Sequence, residues 1–90
     1  MREVFITRKG LLIGRGENCD VNIQNMYASR RHAFVVPLNE NLVIYDLGST
    51  NGTYWREPMS KEWIRVNEVA LIHNGTQVKI GDTILMLRIA

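Results

Sequence analysis

A chain of ninety residues that is 46% hydrophobic and 22% charged, with seven Gly and two Pro, has the composition of one ordinary globular domain. That excludes an elaborate multi-domain enzyme, a disordered or collagen-like chain and a coiled coil. Eleven basic against nine acidic side chains leave +2, too weak a bias for a dedicated nucleic-acid or membrane-surface binder, so any phosphate chemistry must be local.

Along the chain, short apolar runs alternate with turn residues, and none holds a helical period over ten or more residues. The runs, in order, are Val4 to Thr7, Leu11 to Ile13, Val21 to Ile23, Ala33 to Leu38, Leu42 to Tyr45, Thr53 to Trp55, Trp63 to Val66, Val69 to Ile72, Val78 to Ile80 and Thr83 to Ile89. Most are rich in β-branched or aromatic residues, which predicts ten short strands in an all-β sandwich or barrel. Arg8-Lys9-Gly10, Asn39-Glu40-Asn41 and Gly81-Asp82 are tight enough for hairpin turns, and Asn74-Gly75 is a further hairpin signal. The polar stretch Arg15 to Cys19 reads as a binding loop. The stretch Arg56 to Glu62, with Pro58 and its charges, reads as an insertion at a loop tip, where added length costs little closure entropy.

No repeat, linker or apolar span of membrane length interrupts residues 1–90, which read as a single domain that either ends with its fold or is cut from a longer chain. The N-terminus meets charge and a turn before a signal-peptide core can form, and Cys19 has no second cysteine to pair with, so the expected setting is reducing and cytoplasmic. Cys19, His32 and His73 are too scattered to make a metal site by spacing, and no cofactor is expected.

Three segments carry groups that hold anions: Gly14-Arg15-Gly16, Ser29-Arg30-Arg31-His32, and Asp46-Leu47-Gly48-Ser49-Thr50-Asn51-Gly52-Thr53. Arg offers a planar fork of donors, Ser and Thr add neutral donors, and glycines admit close backbone approach. If Ala33 to Leu38 and Leu42 to Tyr45 form a hairpin, Ser29 and Asn51 lie at the same end of a sheet. Arg15 does not follow from spacing, because Asp20 to Ile23 spans only ~13 Å and need not cross the sheet.

At these residues the sequence resembles the forkhead-associated (FHA) domain family, whose pattern is Gly-Arg, then Ser-x-x-His some fifteen residues on, then Asn-Gly. Here these stand as Gly14-Arg15, Ser29-Arg30-Arg31-His32 and Asn51-Gly52, and the resemblance runs from Leu12 to Ile89. It implies an eleven-strand β-sandwich with all three segments at one apex. It further implies a non-catalytic signalling adaptor that binds phosphothreonine in a partner protein, in cis or in trans, downstream of a Ser/Thr kinase. A phosphorylation-independent scaffold is the alternative. Carried over, Arg15 bonds the phosphate, Ser29 donates its hydroxyl, Arg30 offers its backbone N–H and side chain, and Thr50 contacts the phosphate's surroundings. Asn51 would hold the peptide main chain, while Gly14, His32 and Gly52 would shape and brace the loops. Two departures from the common pattern are the insertion between Tyr54 and Trp63 and Tyr27, two residues before the motif serine.

Competing readings are weaker on the residues themselves. Ser29, His32 and Asp46 do not suit a catalytic triad: Ser29 and His32 sit three apart at a strand start, and no nucleophile elbow is present. Arg30 and Arg31 are expected to point to different faces without interleaved aromatics, which disfavours nucleic acid. His73 reads as exposed, Cys19 as a small filler, and Trp55 and Trp63 as packing beneath the insertion. The Asn51 and Asn74 sequons read as turns.

Overall fold

A computed structural model describes residues 1–90 as ten β-strands in two five-stranded sheets. They are β1 (Arg2–Ile6), β2 (Leu11–Gly14), β3 (Val21–Asn22), β4 (Ala33–Leu38), β5 (Asn41–Asp46), β6 (Thr53–Arg56), β7 (Ile64–Arg65), β8 (Val69–His73), β9 (Gln77–Ile80) and β10 (Thr83–Ile89). One sheet has the order β1-β10-β9-β6-β7 and the other β3-β2-β4-β5-β8. Each predicted run therefore supplies one strand. The implied eleventh strand does not form: between β3 and β4 the backbone donors turn to Gly14, Asn25 and His32 instead of entering a ladder.

Between the sheets lies a core of sixteen buried apolar residues, including Ile6, Val78, Leu85 and Leu87 from one side and Ile13, Val35, Ile44 and Ile72 from the other. Inward residues alternate along β1, β4, β5 and β10, as the period-2 pleat requires. The outward face of the second sheet is also apolar. Phe34 pairs with Tyr45, Tyr45 with Val69, and Val43 with both Val36 and Leu71. That is why these segments appear in the sequence as continuous hydrophobic runs.

The turns follow the sheets. Asn39-Glu40 and Gly81-Asp82 close true hairpins, with Leu38 opposite Asn41 and Ile80 opposite Thr83. Gly81 has positive φ, which a glycine adopts without strain. Arg8-Lys9-Gly10 and Asn74-Gly75, in contrast, do not make hairpins. Each carries the chain from one sheet to the other, with turn bonds from the Gly10 N–H to the Thr7 carbonyl and from the Thr76 N–H to the His73 carbonyl. A local turn signal specifies a reversal, and the partner of the next strand is decided by packing.

The stretch Arg56 to Glu62 runs from the last residue of β6 to the tip connecting it with β7, where Tyr54 lies opposite Arg65. Trp55 packs against the core, whereas Trp63 lies half-buried with the Arg56 guanidinium 4.3 Å above its ring and the Lys79 ammonium 5.0 Å away. His73 is exposed and meets Glu57 at 2.8 Å. Leu85→Ala, at a fully buried position, should lower the unfolding free energy by about 2–5 kcal/mol. Leu71→Ala, 60% exposed on the outer face, should change it by about 0.5 kcal/mol or less. Urea unfolding of the two variants measures the contrast.

Candidate functional site

Strand β2 ends at Gly14, and the chain then doubles back so that β3 runs parallel to it, with Ile13 opposite Val21. Side chains hold this return. Asp20 accepts the Leu12 N–H at 2.8 Å, and the Asn22 amide donates to the carbonyls of Arg15 and Gly16. Because β3 is two residues long and parallel, both Arg15 and the segment before β4 emerge at one end of the sandwich. The Arg15 N–H donates to the Ser29 carbonyl and the Gly16 N–H to the Arg30 carbonyl, each at 3.0 Å. Gly14 is required by this approach: a Cβ there would stand 2.2 Å from the Arg30 carbonyl oxygen.

The β4-β5 hairpin brings the β5-β6 loop to the same end, as its register demands. Ser29 then joins all three segments. Its carbonyl holds Arg15, its N–H donates to His32 Nδ1 at 2.9 Å, and its Oγ accepts the Thr50 N–H at 3.2 Å. The Ser29 hydroxyl proton stays available to a ligand oxygen. The Asn51 amide donates to the Tyr27 carbonyl at 3.0 Å, leaving its second N–H and its carbonyl oxygen free of protein partners. Arg15 Nε donates to the Ala28 carbonyl, so the guanidinium is aimed while its terminal nitrogens make no intramolecular bond. The Arg30 N–H and the Thr50 hydroxyl likewise have no protein partner. Arg15, Ser29, Arg30, Thr50 and Asn51 line a single concavity of about 350 Å³, together with the Met26-Tyr27-Ala28 tip.

His32 braces the assembly. It is fully buried, accepts at Nδ1 from Ser29, and donates from Nε2 to the Gly52 carbonyl at 2.9 Å. Desolvation holds its pKa below the ordinary 6.5, against the opposing influence of the Gly52 carbonyl and the Asp46 charge. Gly52 has φ +90 and sits beneath Tyr54. Both imidazole nitrogens are occupied by backbone, and the Ser29 hydroxyl meets Thr50, so no nucleophile-base pair exists in the Ser29, His32 and Asp46 set. No three His, Cys, Asp or Glu side chains gather as metal ligands.

Several residues that hold the site had no individual bracing role assigned from sequence. Asp46 accepts from Ser49 Oγ at 2.6 Å, from the Ser49 N–H and from Thr53 Oγ1, while Ser49 Oγ accepts the Gly52 N–H. Burial opposes the Asp46 charge, yet the Ser49 and Thr53 hydrogen bonds outweigh it and hold the carboxyl below its usual 3.8. The Asp-x-x-Ser spacing is a side-chain turn signal that points to this role. Asn25 accepts the Tyr27 N–H and so fixes the tip that presents the Tyr27 carbonyl to Asn51. Cys19, half-buried, donates its thiol to the Arg30 carbonyl at 3.0 Å. Arg30 and Arg31 both line one concavity, on residues 29–32 that lie outside the strand.

His32 sets the acid limit of stability. Its unfolded form takes a proton near pH 6.5 and its folded form only lower, so its contribution to stability is complete above that value and falls as pH drops toward the folded pKa. Asp46 adds a separate loss below 3.8, as pH falls through its depressed folded value. Urea unfolding between about pH 7.5 and about pH 5 should show the first decline in the native chain, and His32→Gln, less stable at neutral pH, should flatten it. An equal decline in the variant would assign it to another group.

Residues 11–85 match the model of the FHA domain. FhaB, an FHA domain-containing protein of Mycolicibacterium smegmatis, is 36% identical over 85 residues, covering 94% of this chain and 51% of that protein. The chain thus spans about half the length of the FhaB proteins it matches. Among solved structures, the FHA-2 domain of the Mycobacterium tuberculosis ABC transporter Rv1747 superposes with a TM-score of 0.67 at 36% identity, over 86% of this chain and 65% of that one. Mycobacterium tuberculosis EmbR, solved in complex with a low-affinity phosphopeptide, superposes with a TM-score of 0.69 at 26% identity, over 90% of this chain and 21% of that one. With its sandwich, its three loop segments and these relatives in agreement, the chain belongs to the FHA domain family, a family of non-catalytic phosphothreonine-binding modules.

Proposed function

We propose that this domain binds a phosphothreonine peptide at the concavity formed by Arg15, Ser29, Arg30, Thr50 and Asn51. The observation that carries the reading is the convergence there of donors without protein partners: the Arg15 terminal nitrogens, the Ser29 hydroxyl proton and the Arg30 N–H. A phosphate carries about −1.5 to −2 charge at neutral pH and several strong acceptor oxygens, which such a set neutralises and an unmodified threonine hydroxyl does not engage. The Arg15 fork takes two oxygens, the Ser29 hydroxyl and Arg30 N–H take others, and the free amide groups of Asn51 hold the adjoining peptide backbone. EmbR, similar in fold and solved with a phosphopeptide, supports the ligand class. The partner is a protein phosphorylated by a Ser/Thr kinase, in cis or in trans, in the cytoplasm.

Hydrogen bonds to charged groups contribute about 1.5–3 kcal/mol each, so Arg15→Ala should weaken phosphopeptide binding at least about tenfold. The variant should remain folded, since the Arg15 N–H that holds Ser29 is untouched. Calorimetry with matched phosphothreonine, phosphoserine and unmodified peptides tests the reading. The extra methyl of threonine is worth about 0.8 kcal/mol if buried, so phosphothreonine should exceed phosphoserine by about fourfold, and the unmodified peptide should not bind. Equal affinity for all three would establish a phosphorylation-independent scaffold instead. Because the second phosphate pKa lies near ~6, affinity should fall as pH drops below it, and a flat titration from about pH 7.5 to about pH 5 would exclude dianion recognition.

A further inference from the structure

We infer that a second concavity, beside the first, receives another anionic group of the same peptide: a carboxylate or a second phosphate near the phosphothreonine. The inference rests on the phosphopeptide reading above and extends it to the ligand's flanking residues.

The second concavity measures about 510 Å³, larger than the first, and shares Arg15 and Arg30 with it. Arg31, Asn18 and Glu17 line this concavity only. Arg30 and Arg31 both line it, and their backbone is pinned off the strand. The Arg30 carbonyl accepts from Gly16 and Cys19, and the His32 N–H donates to the Ile13 carbonyl. Neither arginine makes an ion pair; the pairs of the fold are Glu3 with Arg88 and Glu57 with His73. Three arginines thus line the concavity with one acidic residue, Glu17, which pairs with none of them, while the neighbouring Asp20 carboxylate is engaged by the Leu12 N–H. The lining residues alone sum to +2, three minus one, and the adjacent Asp20 leaves the balance positive. Like charges gathered around one hollow repel, and an anion entering it turns that repulsion into attraction. The phosphate of the first concavity engages Arg15 and Arg30 and leaves Arg31 unmatched. Guanidinium forks suit carboxylate and phosphate alike, and the Asn18 amide adds a neutral donor.

The test uses an alanine-rich peptide with one phosphothreonine and a series in which Asp, or a second phosphothreonine, is placed one to four residues away on either side. At about 3.3 Å per residue, this range scans the neighbouring hollow. At the matching position the second anion should raise affinity about fivefold, and a phosphate should raise it more than Asp. Arg31→Ala should remove that gain and leave affinity for the singly phosphorylated peptide within about twofold, while Glu17→Gln should enlarge the gain. A larger gain from phosphate than from Asp identifies a doubly phosphorylated ligand, and equal gains identify an acidic flanking residue. No gain at any position, or a gain that persists in Arg31→Ala, overturns the inference while leaving the phosphothreonine reading intact. A singly phosphorylated peptide that does not bind overturns both.

Discussion

A neutral imidazole accepts a hydrogen bond at one ring nitrogen and donates from the other, and His32 commits both to backbone groups of different loops. Its Nδ1 takes the Ser29 N–H, and its Nε2 donates to the Gly52 carbonyl. Few other side chains can do this at the same span, since a carboxylate only accepts and an ammonium only donates. The bond fixes the distance between the loop that carries Ser29 and the loop that carries Asn51. The contacts between those two loops depend on that distance. The Thr50 N–H reaches Ser29 Oγ, and the Asn51 amide reaches the Tyr27 carbonyl, only while the two loops stay apposed. Full burial keeps the ring neutral, and neutrality preserves the acceptor at Nδ1, so the same desolvation that lowers its pKa maintains the brace.

Charge in this domain is divided between groups that shape the loops and groups that line the concavities. Asp46 ends β5 where the β5-β6 loop begins, close to the proposed phosphate site, yet its oxygens are turned to Ser49 and Thr53 and its charge holds the turn together. Asp20 in the same way accepts the Leu12 N–H on the return into β3. The arginines show the reverse pattern. Arg15, Arg30 and Arg31 are exposed and lack ion-pair partners. A chain with a formal charge of only +2 can therefore present a concentrated positive surface, because its carboxylates next to that surface are engaged in loop structure or outnumbered.

Strand placement was legible because each strand carries its own apolar run, from Val4 in β1 to Ile89 in β10. The proximity of Ser29 and Asn51 followed from the β4-β5 hairpin, a local feature with a two-residue connection. Arg15 was not legible in that way. Its position depends on β3 pairing parallel to β2, which is fixed by the Asp20 and Asn22 side chains reaching backbone across the fold, and no spacing rule encodes such contacts. It entered only through resemblance to a family motif. The Asn74-Gly75 turn misled for a related reason: the dipeptide favours reversal, but burial sends β8 and β9 to opposite sheets. Alternation has no hold at Arg30-Arg31, because the pleat begins only at Ala33.

This division of labour separates what must be kept from what is free to change. Gly14, His32, Asp46 and Ser49 are held by packing or by several hydrogen bonds, and replacing any of them disturbs the loops as a unit. Arg30 and Arg31 contribute exposed side chains from a backbone that is already fixed by Gly16, Cys19 and Ile13, so those side chains carry none of the loop structure. The Tyr27 side chain is likewise exposed, while its carbonyl and N–H do the structural work of the tip. A frame built from backbone bonds can keep one phosphate geometry while its outward side chains vary. On the proposed reading, recognition of the phosphate and preference for its neighbours are carried by different atoms of the same few residues, and the second can drift without cost to the first.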